Sequence, residues 1–368
     1  MTISGFPGRE PHRGFVDVAR GFIPLCRSVN CYPLLNHAKK WNNSCLNTGG
    51  KMVFISRSKY FSLLTALIFF LTTGVCAQTA GQKTPKNFKI AFIGDQGYSD
   101  SSRAVLKLIK SEGANAVVHA GDFDYKHDPK KWDADINAIL GKKFPYFASI
   151  GNHDVKKWHG ADGYQEVIEE RFKRLKISWD GDLGVKSAFH YKNIYFIMVG
   201  PGIMGEDHAE YIDDLLDEDT SIWRICCWHK NQTRMQVGGK KDETGWEVYE
   251  EAREGGAIIA TGHEHSYSRT HLLSNMESRT IASTSDTLEI RRGRTFAVVS
   301  GLGGKSIRAQ KQKGNWWASI YTADQGANFG ALFGIFNRNG EANMAEFYFK
   351  DITGKVVDRF WVRSKVGN

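Results

Sequence analysis

The sequence predicts an α/β fold built on a layered, partly mixed sheet. Three observations carry that expectation. From Lys86 onward, apolar runs of strand length alternate with amphipathic segments of helical period. Five of the apolar runs stop abruptly at residues bearing a carboxylate, amide, phenol or imidazole. The chain then closes on antiparallel segments around Asn339-Gly340, a strong hairpin signal.

The elements follow in order. Asn87 to Ile93 is an apolar strand ending in Gly94-Asp95-Gln96-Gly97. Ser101 to Ser111 has helical spacing at Val105, Leu108 and Ile109, with serines placed to cap it. Ala114 to Ala120 is a second strand and ends in Gly121-Asp122-Phe123-Asp124-Tyr125. Pro129 to Leu140 reads as a helix with proline in its first turn. A third strand, Tyr146 to Ile150, ends in Gly151-Asn152-His153-Asp154. Tyr164 to Leu175 is helical, and Ser187 to Tyr191 and Ile194 to Val199 are strands broken at Lys192-Asn193. A helix over Asp207 to Leu216 leads to the strand Ser221 to Trp228, which ends at His229. A helix over Thr244 to Arg253 leads to Ala257 to Thr261, which ends in Gly262-His263-Glu264-His265. Phe296 to Ser300, Ala331 to Phe336, Met344 to Lys350 and Val356 to Val362 complete the strands. Gly301-Leu-Gly-Gly304 lacks the lysine and helix context of a phosphate loop and reads as a turn.

With 368 residues, 41% hydrophobic and 24% charged, the chain has the balance of a globular enzyme-sized protein. Its formal charge of +9 is concentrated in residues 1–77, which hold nine Lys or Arg against two Asp or Glu. The remainder carries 40 basic and 38 acidic residues, which removes the global electrostatic argument for specific nucleic-acid binding. Four of the six cysteines also lie in that first segment, leaving Cys226 and Cys227 inside an apolar run as buried strand thiols.

Residues 1–51 show no sustained periodicity and read as an unstructured or misassigned extension, with translation starting at Met52. Residues 52–77 combine a basic start, the apolar run Phe61 to Leu71 and the small-residue ending Val75-Cys-Ala77. That is the pattern of a secretory signal peptide. It places the protein outside the cytoplasm, in the periplasm, the secretory pathway or the medium. A membrane association is expected only through this segment left uncleaved. One functional domain is expected over 86–368.

Taken singly, His229 reads as a core histidine, Tyr125 as a packing residue and Asn152 as a turn former. His263 and His265 stand two apart on an extended segment and so point the same way. Five strand ends together present hard oxygens and imidazoles, a mixture suited to iron, zinc or manganese and too poor in carboxylates for calcium.

The five motifs quoted above resemble the signature of calcineurin-like metallophosphoesterases. The purple acid phosphatase branch fits best, because Gly97 occupies the position where the wider superfamily has a histidine and Tyr125 stands three after Asp122. The resemblance implies a metallophosphoesterase-type α-β-β-α sandwich with mixed sheets and two metal ions. It further implies that Asp95, Tyr125 and His265 hold Fe(III), that Asp122 bridges, and that Asn152, His229 and His263 hold a divalent Fe, Zn or Mn. Phenolate and carboxylates suit a trivalent ion, and amide and imidazoles a divalent one. His153, beside Asn152, is the candidate phosphate contact and leaving-group acid. The family's further histidines after the one matching His229 are missing from Lys230 to Trp246, so Gln232, Arg234 and Lys240 are the candidate substrate contacts. Asn231-Gln-Thr233 matches a glycosylation acceptor beside the site.

The expected activity is hydrolysis of phosphate monoesters on small molecules or proteins, as an acid phosphatase. Two other readings use the same fold: a phosphodiesterase or nucleotide hydrolase on the same site, and a secreted binding protein without catalysis.

Overall fold

The computed structural model describes residues 83–367. The expectations for residues 1–51 and 52–77 therefore lie outside the described residues. Two mixed sheets pack face to face with helices on both outer sides, the α-β-β-α sandwich expected above.

The first sheet is ordered β12(Thr287–Ile290), β17(Val356–Ser364), β16(Glu341–Asp351), β15(Gly330–Arg338), β1(Phe88–Ile93), β2(Ala116–His119), β3(Tyr146–Ala148). Its helices are α1(Asp100–Ser111), α2(Pro129–Ile139) and α3(Tyr164–Leu175). The second is ordered β14(Trp317–Tyr321), β9(Tyr267–Thr270), β13(Ala297–Ser300), β8(Ile258–Thr261), β7(Trp223–Cys227), β6(Ile194–Val199), β5(Lys186–Tyr191), β4(Asp180–Asp182). Its helices are α4(His208–Glu218) and α5(Glu247–Glu254), and β10(Leu272–Asn275) with β11(Thr280–Ser283) form a separate ribbon.

The continuous apolar runs arise because both faces of these strands are covered. In β6, Ile194, Phe196 and Met198 face the space between the sheets, while Tyr195, Ile197 and Val199 pack with Ile212, Leu216 and Val248 of the outer helices. Strand period two sends Cys226 and Cys227 to opposite faces, so both are free and buried.

The helix boundaries follow local chemistry. Ser99 and Ser102 form a reciprocal capping box at the start of α1, and Asp128 caps α2 ahead of Pro129.

Strand direction positions the site. β1, β2 and β3 run parallel side by side, so Asp95, Asp122 and Asn152 leave the first sheet at one edge. β7 and β8 are also parallel neighbours, delivering His229, His263 and His265 from the second sheet.

Candidate metal centre

The donor turns are shaped by backbone strain and close approach. Asp95, Asp122, Tyr125 and His263 all have positive φ, at 55°, 61°, 58° and 68°. Such conformations cost a non-glycine residue about 1–3 kcal/mol each and cluster where function requires a particular direction. Gly121 (φ 76°) lies so close to the third-strand turn that a Cβ there would come within 2.6 Å of Gly151 Cα. That approach brings the Asp122 and Asn152 turns into contact. The buried Asp154 carboxylate ties them together, accepting from the amides of Asp122 (2.8 Å), Phe123 (3.0 Å) and Gly151 (2.8 Å).

All seven predicted donors converge, in two groups. In the first, Tyr125 Oη lies 3.0 Å from Asp95 Oδ1 and 3.2 Å from His265 Nε2, and those two atoms are 3.2 Å apart. In the second, His229 Nε2 lies 3.0 Å from His263 Nδ1, 3.2 Å from Asn152 Oδ1 and 3.3 Å from Asp122 Oδ2. Donors about 2.0–2.2 Å from one first-row ion, at right angles, stand roughly 3 Å from each other, as the three of the first group do and as His229 Nε2 does from its three neighbours. The Asp122 carboxylate, closest to the second group, also bears on the Tyr125 phenol.

Tautomers decide whether this packing suits a cation. His229 Nδ1 is 2.6 Å from the Ala120 carbonyl and donates to it, so Nε2 of the neutral ring offers a lone pair. That lone pair faces a carboxylate oxygen and an amide oxygen. His263 Nε2, 2.7 Å from Glu243 Oε2, donates there and leaves Nδ1 as an acceptor facing the same point. His265 Nδ1 is 2.5 Å from Ser306 Oγ, which leaves Nε2 for the first group. Apart from the Tyr125 hydroxyl, which donates to Asp95 Oδ1, the two groups turn acceptor lone pairs inward and the His229 and His263 N–H protons outward, the arrangement of metal ligands and their supporting shell.

The electrostatics agree. Burial works against charge on His229, yet the Asp122 and Asp95 carboxylates raise its pKa to about 9, so binding a cation here releases a proton. Burial and the neighbouring His229 push His263 down to about 4, keeping it a neutral ligand. Burial and the carboxylates of Asp95 and Asp122 push the Tyr125 phenol far above its ordinary range. Ionising it requires a strongly Lewis-acidic partner. These residues fit a metal pair.

A cleft of about 310 Å³ opens over the two groups. His153 lines it with its side chain half exposed, its ring 4.5 Å from that of Tyr125 and its Nε2 4.0 Å from Asp122 Oδ2. Lys240 also lines it. Gln232 and Arg234 do not: Gln232 Oε1 accepts from the Arg234 amide, and the Arg234 guanidinium reaches Gln312. Asn231 is fully buried, bonded to the Gly262 carbonyl and the Tyr249 hydroxyl, so it offers no surface for a glycan.

Four residues at the site are additional to those read from sequence. Glu243 orients His263, while Lys305, Ser306 and Arg308 arrive on the loop after Gly301-Gly304. That stretch is a turn, as expected, and it docks through Gly303 N on Gly94 O and Lys305 N on Asp95 O, both 3.0 Å.

The family model for calcineurin-like phosphoesterases matches residues 88–267, a span that contains all seven donors. Residues 88–267 thus carry a calcineurin-like phosphoesterase domain. Among solved structures it is similar to purple acid phosphatase PPD1 from yellow lupin (Lupinus luteus) seeds, with 16% identity and a TM-score of 0.57. That match covers 76% of this chain and 55% of the lupin chain, and at this identity it bears on the fold. Weaker likeness extends to GAP50, the anchor in the inner membrane complex of Plasmodium (12% identity, TM-score 0.49, 76% of this chain and 89% of that one). A dimetal phosphatase from Danio rerio gives 9% identity and a TM-score of 0.43, covering 76% of this chain and 100% of that one. No curated protein matches the sequence at a significant level.

Proposed function

We propose that this protein is a binuclear metal phosphatase of the purple acid phosphatase type, hydrolysing phosphate monoesters outside the cytoplasm. The observation that carries the reading is the pair of donor groups at about 3 Å spacings, with Asp122 set to serve both. Asp95, Tyr125 and His265 suit Fe(III), and Asn152, His229 and His263 a divalent Fe, Zn or Mn. When bound, such a pair lowers the pKa of a shared water and offsets charge on the attacking and leaving oxygens.

The chain's own residues do the rest. Asp154 and Glu243 hold the donors in register from behind. His153, anchored through its amide to Asp122 Oδ1 at 2.9 Å and packed against Tyr125 with the ring planes tilted by 42°, keeps its Nε2 at the cleft, where it donates to the leaving oxygen. Lys240 draws the phosphate in. Among the described residues no helix is long and apolar enough to cross a membrane. In this reading residues 52–77 serve as the export signal.

Metal analysis and a visible spectrum, taken with assays on 4-nitrophenyl phosphate and bis(4-nitrophenyl) phosphate, test the proposal. The expected protein holds two metals, is violet and turns over the monoester faster. A colourless, active zinc enzyme would remove the Tyr125–iron assignment. Preference for the diester would remove the monoesterase reading, and absence of turnover with both metals bound would favour the binding protein.

A further inference from the structure

Apart from the metal donors and the hydroxyl of Ser306, the cleft is lined by cationic side chains and one histidine: Lys240, Lys305, Arg308 and His153. Among the described residues no aliphatic side chain lines it. An apolar leaving group therefore finds little surface to bury against, and at about 310 Å³ the space is at the small end for ligand pockets, roughly 300–1,000 Å³. The cations also cannot swing away freely. The Lys305 amide is bonded to the Asp95 carbonyl and the Arg308 amide to the His265 carbonyl, each at 3.0 Å, so their loop is pinned to two donor turns.

The charge on this rim is only partly answered from within. Arg308 bridges the His263 carbonyl (3.1 Å) and Oε2 of the buried Glu264 carboxylate (3.3 Å), whose Oε1 has no hydrogen-bond partner among the described residues. Lys305 extends its ammonium over the Tyr125 ring, 4.5 Å from the centroid, and no carboxylate pairs with it or with Lys240 among the described residues. Lys230 differs: it is paired to Glu243 at 2.8 Å. Two unanswered ammonium groups and a guanidinium thus ring a small polar cleft whose floor is formed by the metal-donor side chains.

We propose that the cleft selects small phosphate monoesters whose leaving group carries a second phosphate, with Lys240, Lys305 and Arg308 as the residues that take it. This rests on the phosphatase reading above. Lysine contributes a point charge and Arg308 a planar fork, so the second phosphate is held by charge-assisted hydrogen bonds rather than by fit to a carbon skeleton.

The test is a matched pair, glucose 6-phosphate and glucose 1,6-bisphosphate, measured as initial phosphate release by the metal-loaded full chain. The bisphosphate is expected to show a KM lower by about tenfold or more, one good ionic contact being worth roughly that factor. The ratio should shrink towards one between 50 and 500 mM salt, and should fall close to one in Lys240→Gln/Lys305→Gln. A ratio near one in the unaltered protein, or a ratio the double variant does not change, overturns the proposal. If 4-nitrophenyl phosphate is hydrolysed while the pair is treated alike, only this inference falls. If no ester is turned over, the phosphatase reading falls as well, and calorimetric titration of the same pair decides the selectivity by the same ratio.

Discussion

Replacing Glu243 by glutamine tests whether the outer shell sets metal affinity. One carboxylate oxygen lies 2.7 Å from His263 Nε2 and the other 2.8 Å from Lys230 Nζ. Burial opposes the charge, but Lys230 and His263 hold Glu243 below the usual glutamate range, so it acts as an anion. Glutamine keeps the shape and has a single acceptor oxygen. It must therefore turn its NH2 towards either the imidazole or the ammonium. Facing His263, that NH2 favours the tautomer with its proton on Nδ1, the atom that the second donor group needs free. Loss of such a supporting carboxylate weakens metal binding about 10- to 100-fold, or roughly 1.4–2.8 kcal/mol. Competition with a chromophoric chelator at graded zinc should show this loss at one site. The Asp95, Tyr125 and His265 group, which does not include His263, should change less than about threefold. Divalent affinity equal to that of the unaltered protein, or equal weakening of both sites, would refute the assignment of His263 and its tautomer.

Three further outcomes are expected. Tyr125→Phe should abolish the visible charge-transfer colour of the iron-loaded protein and leave its far-UV circular dichroism unchanged, since the phenol oxygen contacts only donor-group atoms. Gly121→Ala adds a methyl 2.6 Å from Gly151 at a positive φ; it should cost about 1–3 kcal/mol in urea unfolding and reduce metal uptake at both groups. Glu112 lies within 2.7 Å of Lys350 and 2.5 Å of Tyr348, and although burial opposes it, these partners and Lys89 hold its pKa below the ordinary 4.5. Its stabilisation is present above pH 4.5 and is lost as pH falls through the depressed folded value. Glu112→Gln should thus lower stability by about 1 kcal/mol at pH 7, with the gap closing as pH falls below the ordinary glutamate range.

The candidate donors were legible only as a set, because five apolar strands in one chain each end in a polar side chain while any one of those ends alone reads as an ordinary turn or core residue. Helix boundaries were legible for a similar local reason, as at Ser99 and Pro129. What escaped the sequence depends on distant partners. β9 reads Tyr-Ser-Arg-Thr without hydrophobic alternation, and its burial relies on Tyr267 and Arg269 both binding Asp358, some ninety residues on. β4, Asp-Gly-Asp, is wholly exposed and is a strand only through backbone pairing with β5. Glu243 sits in a polar loop that carries no period, and its amide bond to the Asn231 carbonyl is what returns it to the site. Lys305 and Arg308 follow a turn whose docking on Gly94 and Asp95 has no local signature.

The donors leave two different sheets, three from the edge of the first and three from the edge of the second, with Tyr125 on the turn after β2. Any ion gripped by both halves acts as a rivet at one end of the sandwich, and its grip exists only while the layers are stacked. Unfolding the loaded protein therefore means releasing the ions, so resistance to heat should climb with the logarithm of free metal concentration. A chelator, in turn, loosens the sandwich at that rim first.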